Sequence, residues 1–264
     1  MSEFFYGIPN TEPFWTGLKT LHYVLVGLAG GMAVLAAILT LRQHPDRNRY
    51  LWLAGLFILL DMFVLWAGSS ARWYFSQFWL FLSFEPRAPI WWGTWGLSSA
   101  LASVGLILLK TWVPLLKRIP EMLLGTVMLV GGLVALAYPG IALVVNENRP
   151  VWNEMMLVIF PVTALLMVLA VAMLLGSAWA RRWEVMAAAV TVALLVAYPL
   201  TLQGEAREHF MREGLLVYAT AGVLVAVALV LFRNPRLAAG LGLAGAVGLR
   251  WMLVQVGQIQ APGL

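Results

Sequence analysis

With 264 residues, 62% of them hydrophobic, 11% charged and thirteen of them Trp, the chain is too apolar for a water-soluble domain. Its formal charge of +5 does not point to nucleic acid, because the basic residues lie mostly in short loops between apolar runs, where they report topology. The lack of Cys excludes disulfides, thiolate catalysis and a thiolate-ligated iron–sulfur cluster within the chain.

The opening MSEFFYGIPNTEPFW is acidic, aromatic and interrupted by Pro, unlike the basic start of a signal peptide, so the first apolar run is expected to stay as an anchor. A bilayer core takes about 20 residues of helix, and eight runs satisfy it: 18–41, 50–68, 90–109, 122–145, 155–179, 185–202, 215–232 and 237–256. The first carries Lys19 and His22 on one helical face, followed by GLAGG at 27–31, which permits close helix packing. Asp61 sits in the second, within FILLDMFVLW. Phe75, Phe78, Trp79 and Leu82 then recur at helical spacing, predicting a short helix in the membrane interface that roofs a cavity; an aromatic belt is the plainer reading. Trp91, Trp92 and Trp95 open the third span. Tyr138-Pro139-Gly140 predicts a kink with exposed carbonyls in the fourth, and Tyr198-Pro199 repeats the pair in the sixth. Arg250 lies in the last span, within AGAVGLRWMLVQ. Short connections favour antiparallel neighbours. The expected architecture is an all-α integral membrane protein of eight transmembrane helices arranged as two four-helix bundles, residues 18–145 and 155–256.

Lys and Arg set the orientation. Loops after odd-numbered spans carry Arg42, Arg47, Arg49, Lys110, Lys117, Arg118, Arg181, Arg182, Arg233 and Arg236; the opposite face carries only Lys19, Arg72, Arg87, Arg149, Arg207 and Arg212. The richer face is expected to be cytoplasmic, with both termini outside.

His22 then lies near the outer end of its span, while Asp61, Tyr138 and Arg250 fall about 12, 17 and 14 residues into spans that start inside, at about 1.5 Å per residue. All four therefore share a depth between the midplane and the outer surface. Each has an ordinary explanation: His22 bonding a carbonyl, Asp61 paired statically with Arg250, Arg250 snorkelling outward, Tyr138 joining an aromatic belt. A common depth favours one cavity opening outward, because a bundle packs such groups inward where they pair and reach water.

Bis-His haem is excluded by counting, since His44 and His209 lie in loops, and neither channel rings nor a hydrolytic motif is visible. A quinone headgroup fits such a site: His22 bonds one oxygen and Tyr138 the other, with Asp61 and Arg250 near for proton exchange and charge balance. The alternatives are a secondary transporter with a mid-membrane polar site, suggested by the repeated Tyr-Pro pair, and a passive anchor.

FWTGLKTLHYVLVGLAGG, LLDMFVLWAGSSAR, FWLFLSFEPRAPIWWGTWGL, LVALAYPGIALVVNENRPVWN and GLRWMLVQVGQ together resemble, over essentially the whole chain, the membrane subunit of polysulfide reductase in the NrfD/PsrC-like family. PIWWGTWG sits where the family has a Ser-Pro-x-x-Trp-Gly type signature, and RPVWN follows the fourth span as in that family. The resemblance implies a bacterial inner-membrane subunit that holds menaquinone, or ubiquinone, near the outer face and oxidises the quinol. It also implies a docked four-cluster iron–sulfur subunit, a molybdopterin catalytic subunit, and an assembly that can pair as a dimer of heterotrimers. The family's quinone contacts map onto His22, Tyr138 and Lys19. Lys19 departs from the family's amide side chain, since an ammonium donates but cannot accept. Gly68 stands where the family's proposed proton route has a carboxylate, which weakens the case for a transmembrane proton path.

Overall fold

The structure is a computed structural model that describes residues 4–5, 8–9, 17–68, 84–145, 149, 151–231 and 233–258. Phe4–Phe5 (β1) and Ile8–Pro9 (β2) form a two-residue antiparallel pair. Among the described residues eight helices follow that are long and apolar enough to cross a membrane: α1 Leu18–Leu41, α2 Arg47–Ala67, α3 Pro89–Leu109, α4 Glu121–Val144, α5 Met156–Leu174, α6 Ala180–Thr201, α7 Gly204–Val230 and α8 Pro235–Val256. The chain is a multi-pass membrane protein. The expected helix at 75–82 lies outside the described residues.

The boundaries that depart furthest from the apolar runs are the end of α5 and the starts of α6 and α7. α5 ends at Leu174 because Gly176 takes φ +88° and closes the helix, its N–H donating to Met173 O (2.9 Å) and that of Ser177 to Ala172 O (3.0 Å). α6 begins at Ala180, so Arg181, Arg182 and Glu184 lie within its first turns. α7 begins well before the apolar run at 215: its opening segment is rich in Glu and Arg, yet buried Phe210 packs edge-on against Tyr198 and Tyr218, centroids 5.6 and 5.0 Å away. A π-helical turn at Phe210–Gly214 joins that segment to the apolar part.

α1 is the central helix, packed on α2, α4, α5 and α8, with 83% of its most apolar window buried. Lipid offers no hydrophobic drive for helices to associate, so close approach through small residues supplies the contact. The GLAGG motif does this on three sides. A Cβ at Gly27 would stand 2.8 Å from the Arg250 guanidinium of α8, one at Gly30 2.8 Å from Leu136 N of α4, and one at Gly31 2.5 Å from Val168 of α5. Around this axis α3 packs chiefly on α4, α6 on α5 and α7, and α7 on α8. One continuous core runs through both halves of the chain, from Met32 and Met128 to Leu166 and Val225.

Proline sits inside α4, α5 and α6, yet the helices continue through it, α4 from Glu121 to Val144 past Pro139. In α6 the reason is visible: Pro199 cannot donate to Leu195 O, and the Tyr218 hydroxyl of α7 donates to that oxygen instead, at 2.8 Å. Tyr198 donates to Val151 O at 2.6 Å, tying α6 to the loop before α5. The second Tyr-Pro pair is thereby accounted for by helix packing.

α3 and α4 touch through backbone, a Cβ at Gly131 standing 2.5 Å from Gly96 O and one at Gly96 2.8 Å from Gly131 O. Gly131→Val is expected to destabilise the purified protein by about 1–3 kcal/mol, the usual cost of overpacking. Gly105→Val, where an added Cβ meets nothing within 4 Å, is expected to leave it unchanged. Thermal unfolding in detergent checks both.

Candidate functional site

Asp61 is completely buried on the inward face of α2, and its partner is His22 of α1. His22 Nδ1 lies 2.8 Å from Asp61 Oδ1, and His22 Nε2 is in hydrogen-bond contact with the Tyr138 hydroxyl of α4. A carboxylate only accepts, so Nδ1 carries the proton; in the neutral ring Nε2 then accepts from Tyr138. Three of the four polar residues expected at one depth thus form one chain, Tyr138 to His22 to Asp61, across α4, α1 and α2. Asp61 Oδ2 has no hydrogen-bond partner among the described residues, which leaves half of a buried carboxylate unsatisfied.

A narrow, largely apolar cleft opens beside this chain. Its walls are Met62 and Leu65 of α2 and Ile90, Gly93, Thr94 and Leu97 of α3, with His22 and Tyr138 at its polar end. The Thr94 hydroxyl donates to Ile90 O (2.8 Å) within its own helix, so the polar groups turned to the cleft come from His22 and Tyr138. Gly93 makes room for the tyrosine, since a Cβ there would lie 2.7–2.9 Å from the Tyr138 ring. Asp61 stands behind His22 and does not line the cleft among the described residues.

Arg250 is placed differently from the expected pairing with Asp61. Nε and Nη2 donate to Tyr23 O at 3.0 and 2.6 Å, and Nη1 to Phe160 O at 2.6 Å and Thr163 Oγ1 at 3.2 Å. Its Cζ lies 4.5 Å from the centre of the Phe160 ring. Equal depth had suggested an ion pair, but Asp61 approaches α1 from α2 and Arg250 from α8. Lys19 is half-buried at the start of α1, its Cγ 3.6 Å from where a Cβ on Gly68 would stand, and it does not line the cleft among the described residues.

Other expected features fall at the same end of the helices. Phe84, Trp91, Trp92 and Trp95 form an aromatic cluster, with Trp91 to Trp92 centroids 4.9 Å apart. Trp152, from RPVWN, donates to Leu253 O at 2.9 Å and lies so close to Gly257 that any Cβ there would overlap its ring. Glu184 was missed because it precedes the apolar run; it is 2% exposed, and its Oε1, beside Gly242, lacks a partner among the described residues. No group of three or more His, Cys, Asp or Glu suited to a metal ion occurs among the described residues.

Fold and site define a multi-pass α-helical membrane protein whose buried carboxylate–imidazole–phenol chain ends at an apolar cleft between helices. Over residues 1–261 the sequence matches the NrfD-type polysulfide reductase family. The chain belongs to that family, the membrane subunits of polysulfide-reductase-type oxidoreductases. Comparison with curated proteins gives no match.

The Gly93–Tyr138 contact makes a test of the cleft wall. Gly93→Ala is expected to destabilise the protein by about 1–3 kcal/mol and to be close to neutral in a Tyr138→Ala background. A double-mutant cycle by denaturation in detergent checks this coupling.

Proposed function

We propose that this protein is the quinol-oxidising membrane subunit of a molybdopterin and iron–sulfur oxidoreductase, taking menaquinol, or ubiquinol, in the cleft beside His22 and Tyr138. The observation that carries the reading is an apolar slot whose polar end is an imidazole and a phenol already joined to a buried carboxylate. Apolar walls with a few convergent polar groups suit an amphipathic ring. Seams on α2 and α3 give an isoprenoid tail a way into lipid. A bound quinol supplies two electrons and two protons on oxidation.

His22 and Tyr138 are in hydrogen-bond contact at the polar end of the cleft, where they meet the quinol oxygens. Neutral His22 takes a proton at Nε2 while its Nδ1–H stays on Asp61; the carboxylate then faces an imidazolium, which offsets its burial. Asp61 Oδ2 is the acceptor left for onward transfer. Electrons have no carrier within a chain that lacks Cys. They leave to a docked four-cluster iron–sulfur subunit and on to a molybdopterin subunit that reduces polysulfide or a related acceptor. The Lys and Arg distribution supports both termini, and the site, lying toward the outer face of a bacterial cytoplasmic membrane.

In the assembled complex, His22→Ala is expected to lower quinol oxidation at least about 100-fold, the lower bound for losing a positioned acid or base, and Asp61→Asn about 10- to 100-fold, as for losing a group that orients it. Tyr138→Phe is expected to fall between them. Steady-state quinol oxidation per assembled complex measures this. Unchanged rates in His22→Ala and Tyr138→Phe would sink the reading, and a complex purified without any quinone would favour a passive anchor.

A further inference from the structure

Among the described residues Arg250 is the largest fully buried side chain, and it lies behind α1 rather than in the cleft. No carboxylate stands within ion-pair distance of it among the described residues. Its guanidinium is held instead by two backbone carbonyls and a hydroxyl, an arrangement that satisfies donors without neutralising charge. A residue needed only to fill space at that depth would be apolar.

The seat is built for a planar fork. Nε and Nη2 converge on the single oxygen of Tyr23, the peptide carbonyl one residue beyond His22. Nη1 reaches across to α5 at Phe160 O and Thr163 Oγ1. Thr163 is itself fixed by donating to Ile159 O at 2.7 Å, so it presents a lone pair to the arginine. One turn along α1, the absent side chain of Gly27 leaves the slot in which the guanidinium lies. Lysine has the charge but not the fork, and cannot grip one carbonyl twice while bonding a second helix.

We propose that Arg250 is a positioning residue for His22: it clamps the α1 backbone at Tyr23 from α8 and α5, so that the imidazole meets Tyr138 and the cleft in fixed register. The proposal rests on the quinol-site reading. His22 is thereby held twice, its ring by Asp61 from α2 and its backbone by Arg250 from the opposite side. A buried arginine away from the ligand acts on the geometry of proton transfer, where a displacement of about 1 Å can cost 100-fold in rate, and not on ligand affinity.

The test is a split between kcat and KM for a short-chain quinol in the intact complex, with rates expressed per assembled complex. Arg250→Lys and Arg250→Gln are expected to lower kcat at least about tenfold while KM changes less than about threefold. Gly27→Ala keeps the charge and intrudes on the slot; it is expected to lower kcat severalfold with the same unchanged KM. A loss carried by KM, or kcat retained in Arg250→Lys and Gly27→Ala, overturns the proposal. If Arg250→Gln does not assemble, Gly27→Ala decides by the same criterion. His22→Ala separates the two readings: if it is silent the quinol site itself falls, whereas if it is inactive while Gly27→Ala and Arg250→Lys keep full kcat, only the role of Arg250 falls.

Discussion

A carboxylate at the bilayer centre costs about 3 kcal/mol on insertion scales, and the hydrogen bond from His22 to Asp61 is what makes it tolerable here. That one contact constrains much else. It brings α2 against α1 at a set height, it orients the imidazole with Nε2 toward α4, and it leaves Tyr138 as the group that meets the ring. The buried charge of Arg250 reaches α1 from α8, while Asp61 reaches it from α2, so it is satisfied without the carboxylate. Arg250 therefore draws on carbonyls of α1 and α5, and the two polar groups end on opposite sides of the same helix.

Such an arrangement needs α1 to be surrounded on all sides, and its glycines allow that. Gly27, Gly30 and Gly31 face three different neighbours, a guanidinium, a helix backbone and a valine, so the motif admits the site's clamp as well as the packing. The packing of α2 on α3 is sparser than that of α1 on α2 and α4, and the cleft opens between α2 and α3.

The eight spans were legible because composition and length alone define them in lipid, and the boundaries missed were those set by polar residues continuing a helix past the bilayer core, as in α7, or by a glycine closing it early, as in α5. Depth was legible too, since helix rise converts position into height. Azimuth was not. Hydrophobic periodicity is faint in helices that are apolar all round, so Asp61 and Arg250 at equal height looked like partners although they approach α1 from different sides. The arginine's true partners are backbone oxygens of Tyr23 and Phe160, which carry no signature in a sequence. Gly27 was read as a packing residue and is also the slot for a charge; Gly93 gave no signal, because its role exists only against the Tyr138 ring.

On the proposed reading the site separates the two products of quinol oxidation by chemistry rather than by distance. Imidazole, phenol and carboxylate pass protons but carry no electrons, and nothing in a chain without Cys offers a cluster to receive them. A quinol hydroxyl at the His22–Tyr138 contact therefore gives its one proton to the interior of this subunit. Its electrons must cross to another protein through the end of the bundle where the Trp91 cluster and Trp152 lie. The buried, half-satisfied Asp61 fits such a division: a carboxylate with one oxygen engaged and one unpartnered is poised to receive charge from His22 and to pass it on, whereas a fully paired carboxylate would hold the imidazolium and stall the next turnover.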